Sequence, residues 1–438
     1  MIRSFVFRSL GYGAAVLLFG CNANLTHPAV PAGTANASAP MHAAAKAPGI
    51  YSFKGSPDGA DPWSGLATLP GVDAYLIGTT LMGGDANNDG TVYVVKPSSN
   101  GSLKETVVYT FKGASAGDGA EPTRIKIIKE WSNDTTIVAL ATTVVGGTSG
   151  NGAAVVLSDD GQDPNHDWTS THTISFGGKP DGANPHGGVT TDSKGNVYGT
   201  TDAGGVYGAG TVYRIQRKSS AYSESVLYSF QSGSDGDHPD GDLSIDKKNA
   251  LYGTTVEGGT GGEGTVFKMT PAGAGYKEQI LYSFSGAPDG ASPSSGVCVT
   301  PSGALYGTTI DGGTQNAGSV YELKQYESGY KESVLWSFGS VAGDGMYPEA
   351  DVIVDKTGAI YGTTSAGGSA ESSGLGTFFA LTPSSKCSRL YREHFELYRP
   401  QRRRSVRRSL PRQERECLFH YDSRRQQRKR SGLRPLGL

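Results

Sequence analysis

A 438-residue chain with 64 glycines, 22 prolines and 22 tyrosines, and no G-X-Y period, excludes a collagen-like fibre. The absence of any sustained amphipathic 3.6-residue period excludes a helical bundle and leaves an all-β chain. The net charge of −2 conceals two unlike parts: from Lys386 to Leu438 there are 17 Lys and Arg against 5 Asp and Glu, leaving 22 against 36 in the remainder.

Residues 1–21 carry Arg3 and Arg8, then the apolar run Ala14–Phe19, and end Leu17-Leu18-Phe19-Gly20-Cys21. This is the layout of a signal peptide, too short to span a bilayer. Its end resembles a bacterial lipoprotein signal with Cys21 as the acylated residue, although Phe19 departs from the usual small residue. Acyl chains on Cys21 would hold the protein to a membrane, at about 0.8 kcal/mol per buried CH₂. A plainly secreted protein and a retained anchor are the competing readings. Residues 22–48, rich in Ala, Pro and Thr, form a linker.

Residues 49–383 are built from four signals that return in order. The first is an aromatic strand, as at Tyr51-Ser52-Phe53, Tyr228-Ser229-Phe230, Tyr282-Ser283-Phe284 and Trp336-Ser337-Phe338. The second is a DGxxP turn, from Asp58-Gly59 with Pro62 to Asp344-Gly345 with Pro348. Asp and Gly supply an acceptor and a residue tolerant of positive φ, while Pro stops the strand. The third is YGTT, clearest at Tyr198–Thr201, Tyr252–Thr255, Tyr306–Thr309 and Tyr361–Thr364. The fourth is a Gly-Gly turn leading to GTV[FY]. With one more short apolar stretch, each unit of about 54 residues holds four strands, the size of a propeller blade. Six units are intact, and the one around Gly146-Gly147 is the most degenerate. Stacking such sheets radially buries one blade's face on the next.

These linked motifs resemble the GloVer tandem-repeat family, exported bacterial proteins with YGTT-x-x-GG and GTVF-x-L repeats and various anchoring signals. The resemblance covers about Gly49–Pro383. It implies architecture and export, and it brings no general activity.

In residues 384–438 glycine nearly vanishes and 15 of the 20 arginines appear. Ser388–Leu433, given ordinary codons and translated one nucleotide later, recovers SILSF, DGAP, TTTAGG and GAVF in order. The basic tail is therefore expected to be a frameshifted, disordered remnant of a seventh repeat, and no nucleic-acid partner is expected. The ring is then expected to close with six blades, Ile50–Phe53 pairing onto Gly376–Leu381 and removing an exposed edge.

Residues common to all repeats belong to the repeat, so the turn Asp and the Thr-Thr pair are structural expectations. Cys298 is expected to be a buried single thiol. Asp85, Asn87 and Asp89, followed by Gly90, match the start of a calcium loop, but the twelfth position is Lys96 in place of Glu. A polar turn is the competing reading, so no cofactor is expected beyond this incomplete calcium loop. Asp159-Asp160 through Asp167, with His166, form an acidic insertion. His166, His172, His186 and His238 lack H-x-x-x-H or H-E-x-x-H spacing, and there is no G-x-S-x-G elbow or P-loop. No catalytic residue is assigned. The sequence points to an exported, membrane-anchored β-propeller that binds or scaffolds; it identifies no ligand, and an extracellular glycan or protein is the kind of partner such a module would take. The alternative is a propeller hydrolase or lyase acting on extracellular polysaccharide. Converging carboxylates at a channel mouth, unmatched in sister blades, would favour the enzyme.

Overall fold

The computed structural model describes residues 51–69, 75–98, 103–128, 137–159, 167–218, 221–273, 275–368, 376–383 and 390–396. The signal segment, Cys21, the linker, His166 and most of the basic tail lie outside them. Six four-stranded antiparallel sheets, arranged in a ring, make a six-bladed β-propeller. In chain order the third strands of the blades are Thr91–Pro97, Ala153–Asp159, Thr211–Lys218, Thr265–Ala272, Ser319–Tyr326 and Thr377–Pro383. Among the described residues the only helical element is one 3-10 turn, Ala114–Ala116, and no helix is long and apolar enough to cross a membrane.

Blade four shows why the repeat has the residues it has. Its strands are Ser244–Ile245, Leu251–Thr255, Thr265–Ala272 and Gly275–Ser283. The hydroxyl of Tyr252 donates to Asp246 Oδ2 at 3.1 Å and ties down the turn between the first two strands. Gly253 leaves room for the ring of Phe267, since a Cβ there would lie 2.6 Å from the ring's Cζ. Thr254 donates to the Ser295 carbonyl of the next blade at 2.7 Å, and Thr255 pairs with Thr265 across the sheet at 2.8 Å. Gly264, at φ 93°, carries the chain against Pro293 of the next DGxxP turn. Each motif letter is thus a contact, two of them between blades.

Aromatic rings close the junctions. Phe230 meets Phe267, Phe284 meets Tyr321 and Phe338 meets Phe379, edge to face at 5.1–5.2 Å between centroids. Burying such a ring contributes about 2–3 kcal/mol, and the edge-to-face geometry adds about 0.5–1.5 kcal/mol. In each junction an outer-strand Phe of one blade packs on the third strand of its successor, so the blades are stable collectively.

Three features depart from expectation. The fourth strand of blade six is Leu390–Glu396, inside the segment expected to be a disordered tail, and it pairs in full with Thr377–Pro383. A connection of only residues 384–389 makes a hairpin across that edge the nearest partner available. Tyr51–Phe53 therefore does not pair there; Phe53 packs on Tyr93 at 4.8 Å, and the Tyr51 hydroxyl donates to Asp58. Cys298 is buried as expected, but it is disulfide-bonded, not a single thiol. Its partner lies outside the described residues. Blade six also lacks the outer-strand bulge present in blades one, three, four and five.

Candidate functional site at the channel mouth

Each DGxxP segment starts at the rim, where Asp-Gly pairs with the Gly-Gly turn, as Gly236–Asp237 does with Glu257–Gly258. It then crosses one face of the ring and enters the first strand beside the axis. The residues after its proline therefore surround the channel mouth, and they differ from blade to blade. The residue directly after the proline is Trp63, Thr123, His186, Asp240, Ser294 and Glu349 in blades one to six.

Deeper in, charged groups from alternate blades meet. Arg124 of blade two bonds Asp242 of blade four, Nε to Oδ1, at 3.2 Å, and its Nη1 donates to the Thr123 carbonyl at 3.1 Å. The Gly188 amide donates to Asp242 at 2.6 Å, and the Gly296 amide donates to Asp351 of blade six at 2.6 Å. Glycine is needed for this approach: a Cβ on Gly188 would lie 2.5 Å from Asp242 Oδ2. Burial, and then repulsion from Asp242, pushes the Asp351 carboxyl up to about 7, against the pull of Arg124 and the Gly296 amide. Burial acts to weaken the Arg124 charge, but Asp242, Asp351 and Asp240 more than offset it and raise its pKa. Although protein surrounds it, the Arg124 side chain keeps 31% of its surface open to the channel.

Nearer the surface stand two histidine–carboxylate pairs. His238 Nδ1 lies 3.1 Å from Asp202 Oδ1 and its Nε2 lies 3.6 Å from Asp237. The hydrogen bond to Asp202 is the chief reason its pKa rises to about 9; burial opposes this, and nearby Asp202, Asp237 and Glu257 charges reinforce it. His186 Nδ1 lies 3.6 Å from Asp240 Oδ1, and burial raises the Asp240 carboxyl against the attraction of His186. On the same positions of other blades, Trp63 is 58% exposed and Tyr347 is also exposed. The mouth thus offers carboxylates, imidazoles and aromatic faces to a ligand.

The residues singled out by sequence are not these. Asp85, Asn87 and Asp89 lie in the Gly-Gly turn of blade one, where Asp85 Oδ1 accepts the Asn87 amide at 2.8 Å. Asp89 faces the next blade at Gly113, and burial together with Asp85 and Asp118 raises its carboxyl. Among the described residues no three His, Cys, Asp or Glu side chains gather to hold a metal. The mouth residues belong to no short motif. Their signal appears only when the repeats are aligned on the DGxxP proline: three residues on stand Gly65, Gly188, Asp242, Gly296 and Asp351.

Fold and mouth define a tandem-repeat β-propeller with a polar channel entrance. The chain belongs to the Gloeobacter/Verrucomicrobia repeat family, whose signature matches residues 138–297 and 274–397, well over half of the sequence. No curated protein sequence matches it. Among solved structures it is similar to a Bacteroides uniformis protein described provisionally as a 6-phosphogluconolactonase, with 12% identity over 78% of this chain and 86% of that one, TM-score 0.48. It is also similar to the GH93 alpha-L-arabinofuranosidase of Fusarium graminearum, with 12% identity over 73% and 91%, TM-score 0.44. A PQQ-bound aldose sugar dehydrogenase from Streptomyces coelicolor shares 14% identity over 72% and 91%, TM-score 0.41. At these identities the likeness concerns the fold alone.

Proposed function

We propose that this protein is an exported propeller, anchored to the cell envelope through Cys21, that binds an extracellular glycan at its channel mouth. The observation that carries the reading is the convergence there of residues that differ between blades: Asp240 with His186, Asp202 with His238, and exposed Trp63 and Tyr347. Carboxylates and imidazoles suit sugar hydroxyls, and exposed aromatic faces suit the apolar faces of sugar rings. The test is a glycan array with the intact protein, followed by calorimetry on the hits. Asp240→Asn and Trp63→Ala are each expected to weaken binding at least about tenfold while folding is retained, a loss of about 1.4 kcal/mol. Binding unchanged in both variants would remove the mouth as the site.

A second reading, a hydrolase or lyase on the same polymer, is favoured by the carboxylates Asp240, Asp242 and Asp351 that converge around Arg124, and by Asp351 in particular. Its carboxyl holds a proton near neutrality, and Asp242 and Arg124 stand beside it, as acid–base work requires. New reducing or unsaturated ends from an array hit, abolished by Asp351→Asn, would select this reading. Binding without turnover selects the first.

A further inference from the structure

The outer strands repeat a buried acidic contact that the channel mouth does not use. Four residues before the aromatic position stand Glu105, Glu224, Glu278 and Glu332, in blades one, three, four and five. Opposite them across the sheet are the apolar residues Val95, Ile215, Met269 and Leu323. In each glutamate Oε1 is buried and accepts no hydrogen bond. Each also faces the aspartate of a DGxxP turn: Asp58, Asp181, Asp235 and Asp289 in turn.

Those aspartates are already surrounded by donors. Asp58 accepts from the Tyr51 hydroxyl and the Lys54 and Gly59 amides. Asp289 accepts from the Tyr282 hydroxyl, the Ser285 amide and hydroxyl, and the Gly290 amide. Asp235 accepts from Tyr228 and the Gln231 amide, and Asp181 from the Gly177 and Gly182 amides. A carboxylate held by donors alone leaves its neighbouring carboxyl two states. Protonated, the glutamate sits beside it as a neutral donor; ionised, it is repelled in a desolvated pocket.

The other groups facing these glutamates are mainly tyrosines, which supply no positive charge. They are Tyr51 and Tyr93 at Glu105, Tyr213 at Glu224, Tyr228 at Glu278, and Tyr282 and Tyr321 at Glu332. Lys54 is a counter-charge at Glu105. In blade two the position is Ser170, which hydrogen-bonds Tyr109.

We infer that these four glutamates are proton-holding latches at the rim of the ring, and that losing their protons loosens the junctions between neighbouring blades. Each latch joins the outer strand of one blade to the turn that receives the preceding aromatic strand, so repulsion there acts on blade stacking. Burial first, and the facing aspartate second, raise Glu105 and Glu278 to about 7 and Glu224 and Glu332 to about 8, from an ordinary 4.5. The folded chain therefore holds more protons than the unfolded one above the ordinary value. Stability from the latches is full below 4.5 and is lost as pH rises through 7 to 8.

The experiment is thermal unfolding of the intact chain between pH 5 and pH 8.5, beside the triple variant Glu224→Gln, Glu278→Gln, Glu332→Gln. Glutamine keeps the shape and the donor of a protonated glutamate. The wild-type midpoint should fall by several degrees across this range, and the variant should match it at pH 5 and fall by clearly less, its remaining slope coming from Glu105, Asp351 and His238. A wild type as stable at pH 8.5 as at pH 5, or a variant with the wild-type slope, overturns the inference. Should the triple variant fail to fold, infrared difference spectra of the wild type decide. A protonated-carboxyl band at pH 6 that vanishes by pH 9 and is reduced in Glu278→Gln is expected; its absence at pH 6 refutes the latch.

Discussion

The rim of this ring and its channel mouth are made from the same repeat and obey opposite rules. At the rim, equivalent residues do equivalent things: the hydroxyls of Tyr51, Tyr109, Tyr228 and Tyr282 donate to the next DGxxP aspartate, Asp58, Asp118, Asp235 and Asp289, all at 2.7–2.9 Å. At the mouth, equivalent positions hold Trp63, Thr123, His186 and Asp240, an indole, a hydroxyl, an imidazole and a carboxylate. Blade stacking requires the same contact at every junction, so repetition there is a condition of closure. A ligand bound at the mouth, as proposed, would meet several blades from one side, so variation there would place different groups around one molecule. Where the repeat is faithful it folds the ring, and where it diverges it can select a ligand.

The largest test of the faithful half is Gly264→Val. A Cβ there would lie 2.4 Å from the Thr255 carbonyl oxygen and 2.6 Å from Pro293, at φ 93°. Strain and overpacking together should cost about 3 kcal/mol or more and uncouple blades four and five. Chemical denaturation should show a lower midpoint, and an unchanged one would mean the junction yields freely. Arg124→Met comes next. It leaves Asp242 and Asp351 facing each other without their cation. Loss of a buried partner costs about 3–5 kcal/mol, and channel water reaching a third of the guanidinium reduces this to about 2 kcal/mol. That loss should shrink at low pH, where the carboxyls are protonated.

A smaller effect is expected of Thr254→Val, which removes one donor to the Ser295 carbonyl in the next blade. The loss is about 1–2 kcal/mol, measured by denaturation, with Thr254→Ser restoring most of it. Thr255→Val should cost a similar amount without weakening the inter-blade contact, because its partner Thr265 lies in its own sheet. Equal effects on blade four alone from both variants would erase the distinction between the two threonines.

How much of this was legible follows the same division. The strand count, blade size and YGTT contacts come from local chemistry that recurs, so a period of about 54 residues reveals them. Arg124, Asp242 and Asp351 are as much as 227 residues apart and share no motif; only ring closure unites them. Their one local trace is Gly188 and Gly296, small because Asp242 fills the space of a Cβ at both, with its carboxylate at Gly188 and its backbone carbonyl at Gly296. The edge strand Leu390–Glu396 was hidden for another reason. Arginine-rich composition disguised a segment whose pairing depends on an available neighbouring edge, which composition does not report.

His238 allows the mouth to be tested where stability changes least. Its sister positions are Asp61, Glu121, Asn184, Ser292 and Tyr347, all at positive φ near 55°, so the backbone there is common and only the side chain is particular. Asp202 holds the imidazolium, raising its pKa to about 9, so the charge is present at neutral pH. The stability this pairing adds is full below the ordinary 6.5 and lost as pH rises through 9. Because the imidazole is 42% exposed, solvent screening limits that contribution to less than about 1 kcal/mol. Asp202→Asn should therefore barely change the unfolding midpoint, yet shift the His238 titration, followed by NMR, down towards 6.5. A titration left near 9 would assign the imidazolium to Asp237 and Glu257 instead. If ligand binding follows the titration in both proteins, the charged imidazole is part of recognition at the mouth; if it does not, His238 only holds Asp202 in place beside the channel.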